Sequence, residues 1–157
     1  MKVGIINVSD FNLPEYATIG SAGMDLRADL KRYYNSDFTT DLVMSPFKQY
    51  VIPTGIFIAL PKGDDNGGYE IQIRPRSGLA AKFGVTVLNT PGTIDADYRG
   101  EIKIVLICLN SDGFTVKHGE RIAQMIFGKF IKVELNPVET LNETERGSGG
   151  FGHTGTK

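Results

Sequence analysis

Tryptophan is absent from this 157-residue chain, cysteine occurs once and histidine only twice. The missing tryptophan carries no consequence, but the other two scarcities do. A lone Cys108 allows no internal disulfide and no cysteine-rich zinc site, so within its apolar surroundings it reads as a small buried hydrophobe. His118 and His153 stand at no ligand spacing from each other or from Cys108, which argues against a transition-metal centre. Charge of one sign is also lacking. A net charge of −1 and a pI near 6.1 create no broad field toward nucleic acid or anionic membrane. No apolar run approaches membrane-spanning length, and Met1 to Asn7 lacks the long apolar stretch of a signal peptide. A reducing cytoplasm is the expected compartment (the host's, if a virus encodes the chain). What remains, 41% hydrophobic and 22% charged in 17.2 kDa, suits one globular domain with a sizeable core.

Helical periodicity is nearly absent as well, and short β-branched runs take its place. Strands are expected at Val3–Val8, Tyr50–Ile52, Gly55–Leu60, Tyr69–Arg74, Val85–Leu88, Glu101–Leu109, Phe114–Val116, Arg121–Phe130 and Val133–Leu135. Turn signals such as Pro53 to Gly55, Pro91-Gly92 and His118-Gly119 separate them. Many short strands at this spacing predict a β-barrel or sandwich. One short helix is expected at Ser77–Phe83, with Ser77 as N-cap and Gly84 as its stop. Residues 29–47 read as an elaborated polar surface loop whose removal the fold should tolerate. From Glu143 onward the chain is Gly-rich, which divides it into a domain of 1–142 and a flexible arm of 143–157.

Candidate chemistry gathers in five places. Asn89 to Gly100 puts Asp95, Asp97 and Tyr98 at the tip between two apolar runs. A carboxylate on a stiff hairpin against apolar neighbours is partly desolvated, and desolvation suits it to general-base work. Arg74 to Gly78 sets two guanidinium groups before a helix start, where an anion is favoured. Asp25, in the alternating run Ser21 to Ala28, is a candidate hard-cation ligand. Gly119 to Ile126 opens a strand with Glu120, Arg121 and Gln124 set among apolar residues. In the tail, Gly147 to Gly152 fits the dinucleotide pattern by letter but lacks the strand before it and the helix after it. Arg146 offers a fork for phosphate, the glycines let backbone N–H groups approach oxyanions, and Phe151 offers a stacking face for a base. Phosphate plus base implies a nucleotide.

In order, Ala22 to Arg27, Arg74 to Gly78, Asn89 to Gly100, Gly119 to Gln124 and Arg146 to Gly152 resemble the five motifs of the trimeric deoxyuridine triphosphatase (dUTPase) family. The resemblance covers almost the whole chain at near-family spacings; only the longer 29–47 segment departs from it. It implies an all-β, jelly-roll-like barrel with one short helix, assembled as a homotrimer with active sites at subunit junctions. The implied reaction is Mg²⁺-assisted hydrolysis of dUTP to dUMP and pyrophosphate, which lowers dUTP and supplies dUMP for thymidylate synthesis. Asp95 would activate the attacking water, and Asp25 would hold Mg²⁺ through water. Arg76, Ser77, Gly78 and Gln124 would serve the phosphates. Asn89, Gly92, Thr93 and Ile94 would line the uracil and sugar, and Tyr98 would exclude a 2′-hydroxyl. Arg146, Ser148, Gly149 and Phe151 would close over the nucleotide. A dCTP deaminase of similar fold needs a glutamate ten residues past Asp95, where this chain has Val105. A dUTPase-like module that binds a regulatory protein, through residues 29–47 for example, could coexist with catalysis.

Overall fold

The computed structural model describes residues 1–37 and 41–150. The chain alternates so often between apolar strand and polar turn that no sheet among the described residues exceeds four strands. In chain order the elements are β1 (Gly4–Asn7), β2 (Gly23–Arg27), α1 (Leu30–Tyr34), β3 (Leu42–Met44), β4 (Gln49–Pro53), β5 (Ile56–Ala59) and β6 (Gly67–Pro75). Then follow α2 (Ser77–Phe83), β7 (Val85–Val87), β8 (Gly92–Ile94), β9 (Lys103–Cys108), β10 (Phe114–Val116) and β11 (Arg121–Ile131). All pairings are antiparallel: a four-stranded sheet β2-β11-β6-β8, a three-stranded sheet β4-β9-β7, and the ribbons β1-β5 and β3-β10. This is the expected all-β fold, with α1 as a second short helix beside the one expected at Ser77–Phe83. Among the described residues, no helix is long and apolar enough to cross a membrane.

The strands supply the core by alternation. On β9, Ile104, Leu106 and Cys108 are buried, and from β4, β6 and β11 come Ile52, Ile71, Ile73, Ile122 and Met125. Cys108 has no exposed surface, as its sequence context implies. One buried polar residue ties the sheets at a corner. The Thr54 hydroxyl donates to the Ile102 carbonyl at 2.6 Å and accepts from the Ile56 amide at 3.3 Å. Buried hydroxyls are costly unless paired, and this one is paired twice.

Three expectations fail here. Residues 29–47 are not a surface loop. Asp29, itself buried, caps α1 by accepting from the Arg32 amide at 3.2 Å, and β3 pairs with β10. Leu30, Leu42 and Met44 from this segment are core residues, so removing it would open the barrel. Second, Ser77 does not cap α2. The N-cap is Arg76, without a side-chain cap bond, and Ser77 is the first helical residue, while Gly84 ends the helix in the left-handed region as expected. Third, Val133–Leu135 forms no strand. The pattern alternates but finds no partner among the described residues, and both valine and leucine stay exposed.

Leu30→Ala should therefore cost about 2–5 kcal/mol, the usual range for truncating a buried leucine. Urea unfolding measures it, and a loss below about 0.5 kcal/mol, typical of a surface site, would restore the loop reading.

Candidate active site

The pairing of β2 with β11 sets Asp25 opposite Gln124. Around the Asp25 carboxylate, three donors converge. Arg76 Nε lies 3.1 Å from Oδ1, Arg121 Nη1 lies 3.3 Å from Oδ2, and Gln124 Nε2 lies 3.5 Å from Oδ1. Arg76 also donates to the Arg121 carbonyl at 3.0 Å, which ties the start of α2 to the start of β11. Asp25 keeps 22% of its side chain exposed, so the cluster faces solvent across a partly screened edge. Two guanidinium groups against one carboxylate leave one excess positive charge, and an anion is favoured there. The sequence names Arg121 among the polar groups of its segment without assigning it a partner; its place at the first position of β11, across from Arg27 and beside the bulge before Ala123, is what points it at Asp25. Phe11, Leu13 and Glu15, from a stretch with no motif at all, wall a groove beside Asp25 and Arg121.

Of the two guanidinium groups expected at the helix start, only Arg76 joins this cluster. Arg74 turns along β6 and donates to Gln72 Oε1 at 2.6 and 3.2 Å. Ser77 and Gly78 lie exposed on the first turn of α2, and the space beside the Gly78 Cα is open.

The Asp95 segment is a return between two paired strands. β7 and β9 face each other, Val85 against Cys108, and the chain between them detours to lay β8 on β6. That detour places the Thr93 and Ile94 backbones opposite Gln72 and Ile71. Gly92 is buried under Asn89, whose amide nitrogen would lie 3.0 Å from an added Cβ. Past β8 the chain turns, with the Tyr98 amide donating to the Asp95 carbonyl at 3.1 Å and the Tyr98 hydroxyl to the Glu101 carbonyl at 3.0 Å. Asp95 itself is exposed. The desolvation expected of it is not supplied within one chain, because the turn carries the carboxylate clear of the apolar strands.

Strand register fixes how far apart these groups lie. Asp25 aligns with Gln124 and Gln124 with Arg74, while Ile94 aligns with Ile71. Asp95 is thus displaced from Asp25 by three strands across and four residues along, roughly 20 Å at ordinary strand spacings. One chain brings together Asp25, Arg76 and Gln124, with Ser77 and Gly78 beside them. It separately brings together Asn89, Gly92, Thr93, Ile94, Asp95 and Tyr98. The arm is a third element. Arg146 Nε donates to the Gly149 carbonyl at 2.9 Å, so this guanidinium folds on its own segment, and Ser148 is exposed. Phe151 lies outside the described residues. No three His, Cys, Asp or Glu side chains converge as a metal cage among the described residues.

The dUTPase family model matches residues 9–155. A deoxyuridine 5'-triphosphate nucleotidohydrolase of Finegoldia magna is 53% identical over 155 residues, covering 99% of both chains. One of Fusobacterium nucleatum is 44% identical, covering 99% of this chain and 97% of its own. Among solved structures, the Staphylococcus bacteriophage 80alpha dUTPase with dUPNHPP has the same fold, at TM-score 0.77 and 24% identity over 99% of each chain. A dUTPase from phage phi11 of S. aureus, described with a structural Mg(II) ion, superposes at TM-score 0.70 and 20% identity, over 89% of this chain and 98% of its own.

The Tyr98 ring lies so close over Gly100 that an added Cβ there would sit 2.5 Å from the ring carbon Cζ. Gly100→Ala should therefore displace the half-exposed Tyr98 ring and break its hydroxyl's bond to the Glu101 carbonyl, costing about 0.5–1.5 kcal/mol, the usual net worth of one hydrogen bond. Chemical denaturation reads the loss; a variant as stable as the parent would show that the ring is free to move aside.

Proposed function

The chain belongs to the dUTPase family, and we propose that it hydrolyses dUTP to dUMP and pyrophosphate through the residues described above. The observation that carries this reading is the match over residues 9–155, which takes in all five nucleotide-directed segments. Asp95 takes a proton from water as the water oxygen bonds to the α-phosphorus. The α–β anhydride bond breaks, and its electron pair leaves on pyrophosphate. Little covalent work falls to the protein, so orientation and charge neutralisation must carry most of the barrier. The excess positive charge at Asp25, Arg76 and Arg121 supports placing the triphosphate there, with Ser77, Gly78 and Gln124 beside it. Asn89, Gly92, Thr93 and Ile94 line the base and sugar, and Tyr98 excludes a 2′-hydroxyl.

The donor set fits Mg²⁺ carried on the triphosphate. Mg²⁺ keeps several waters and is commonly held by one or two carboxylates plus substrate phosphates, and Asp25 is a single, partly exposed carboxylate of that kind. When bound, the ion would neutralise phosphate charge as it develops. The deaminase alternative finds no support: Val105 has no titratable group, and both Glu101 oxygens are already engaged.

We also propose a homotrimer with shared sites. About 20 Å between Asp25 and Asp95 exceeds the reach of one phosphate chain within a single subunit, which supports a second copy presenting its Asp95 hairpin to the Asp25 cluster. The exposed aliphatics Val133, Leu135, Val138 and Leu141 support a further contact between copies. Beyond them the arm of 143–157, with Arg146, Ser148, Gly149 and Phe151, closes over the nucleotide.

Pyrophosphate release measured for dUTP, dTTP, dCTP and UTP, with and without Mg²⁺, tests the reaction; equal rates for dUTP and UTP would overturn the assignment. Asp95→Asn should lower kcat about a hundred- to ten-thousand-fold, the usual worth of a positioned base. The Kd for a nonhydrolysable dUTP analogue should stay within roughly tenfold, about 1.4 kcal/mol. An undiminished kcat removes Asp95 from the mechanism.

Mixing tests the shared site. Asp95→Asn with an intact arm and a chain ending at Glu145 with Asp95 intact should each be inactive, and refolding them together should restore activity. If mass measurement confirms mixed trimers and the mixture stays inactive, each chain builds its own site.

A further inference from the structure

The segment from Asp29 to Met44 has no place in the chemistry above, yet it reaches the base of the Asp95 hairpin. Arg32 on α1 donates through Nε to Glu101 Oε1 at 2.9 Å and through Nη2 to Oε2 at 3.2 Å. The Gly55 amide donates to the same Oε1 at 2.8 Å. Only 9% of the Glu101 side chain is exposed. Burial pushes the Glu101 carboxyl up, but the Arg32 and Gly55 hydrogen bonds outweigh it and hold the group below its ordinary value. It stays ionised, as a two-pronged pair requires.

Both ends of this contact are anchored. α1 is fixed by the Asp29 cap, and the Asp29 amide donates to the Pro53 carbonyl at 2.9 Å. Beyond Glu101, buried Ile102 donates to the Ile56 carbonyl at 2.8 Å. Glu101 is therefore the last fixed residue before the hairpin tip. Its carbonyl is the acceptor for Tyr98, whose ring is 43% exposed. The ring lies over Gly100 and its hydroxyl end is held by that carbonyl, so its position follows Glu101.

We propose that Arg32 is a positioning residue for sugar selection, acting through Glu101 to fix Tyr98 from outside the nucleotide-directed motifs. α1 is a buttress behind the hairpin. Arginine is needed because its planar fork fixes the carboxylate in orientation, which a lysine point charge does not do. The inference rests on the assignment of Tyr98 as the group that excludes ribose.

The test uses the full chain with kcat and KM for dUTP and UTP. Arg32→Ala should lower the dUTP-to-UTP ratio of kcat/KM at least about fivefold, and Arg32→Lys should lose part of that. Tyr98→Phe, which removes the hydroxyl, should lose as much as Arg32→Ala. Combining the two should cost no more than the worse single change, because both act on one contact. Asp10→Ala, which removes only the Asp10–Lys31 pair on α1, should leave the ratio unchanged; a similar drop there would mean loosening α1 suffices, and would overturn a specific role for Arg32. Should Arg32→Ala not fold, Arg32→Lys decides: an unchanged ratio overturns the proposal. A ratio within twofold of the parent in folded Arg32→Ala, while Tyr98→Ala lowers it, overturns the buttress alone. An unchanged ratio in Tyr98→Ala overturns the sugar-reading assignment, and the buttress with it.

Discussion

β11 pairs with β2 on one side and β6 on the other, and that double register governs where the charged groups of the molecule can stand. Side chains alternate along a strand, so a slip of one residue would turn Gln124 away from Asp25 and send Met125 out of the core. The buried set on β11 (Ile122, Ala123, Met125) makes such a slip costly. The hydrophobic core therefore does electrostatic work at a distance: it holds two guanidinium groups and an amide at one carboxylate. The bulge between Arg121 and Ala123 lets both Arg121 and Gln124 reach the same carboxylate.

The same register explains why the Asp25 cluster and the Asp95 turn stand apart within one chain. β2 and β8 are the two edges of a four-stranded sheet, and Asp25 and the Asp95 turn belong to opposite edges. Sheet edges offer unpaired backbone and accessible side chains, and a neighbouring copy can meet them there. What each chain contributes is rigid placement: Asp25 among its donors, and Tyr98 on a carbonyl whose own residue is pinned by Arg32 and Gly55.

Much of this was legible in the residues, and the failures have specific physical causes. Phe114–Val116 and Ser77–Phe83 fall where turn chemistry and apolar pattern agree. The span 29–47 was misread because its core residues, Leu30, Leu42 and Met44, are spread among tyrosines, charges and serines too widely to show a period. Val133–Leu135 fails for the opposite reason: the alternation is present, but pairing needs a partner strand and none stands beside it among the described residues. Asp95 was expected to be partly desolvated by its own hairpin, a property that depends on what packs over the turn. The sequence groups Arg121 with Glu120 and Gln124 but does not show that it meets Asp25, because an arginine at a strand start reads equally as a solvated end. Composition names residue types, whereas register and capping decide which of them meet.

Cys108 is the sole thiol, wholly buried on β9, and its Sγ approaches the Asn110 carbonyl at 3.7 Å. Its neighbours on the strand, Leu106 and Ile104, are equally enclosed. An alkylating reagent can reach the sulfur only when β9 parts from the packed interior. The molecule therefore contains its own single-hit clock for large-scale opening: the labelling rate counts excursions of the native ensemble.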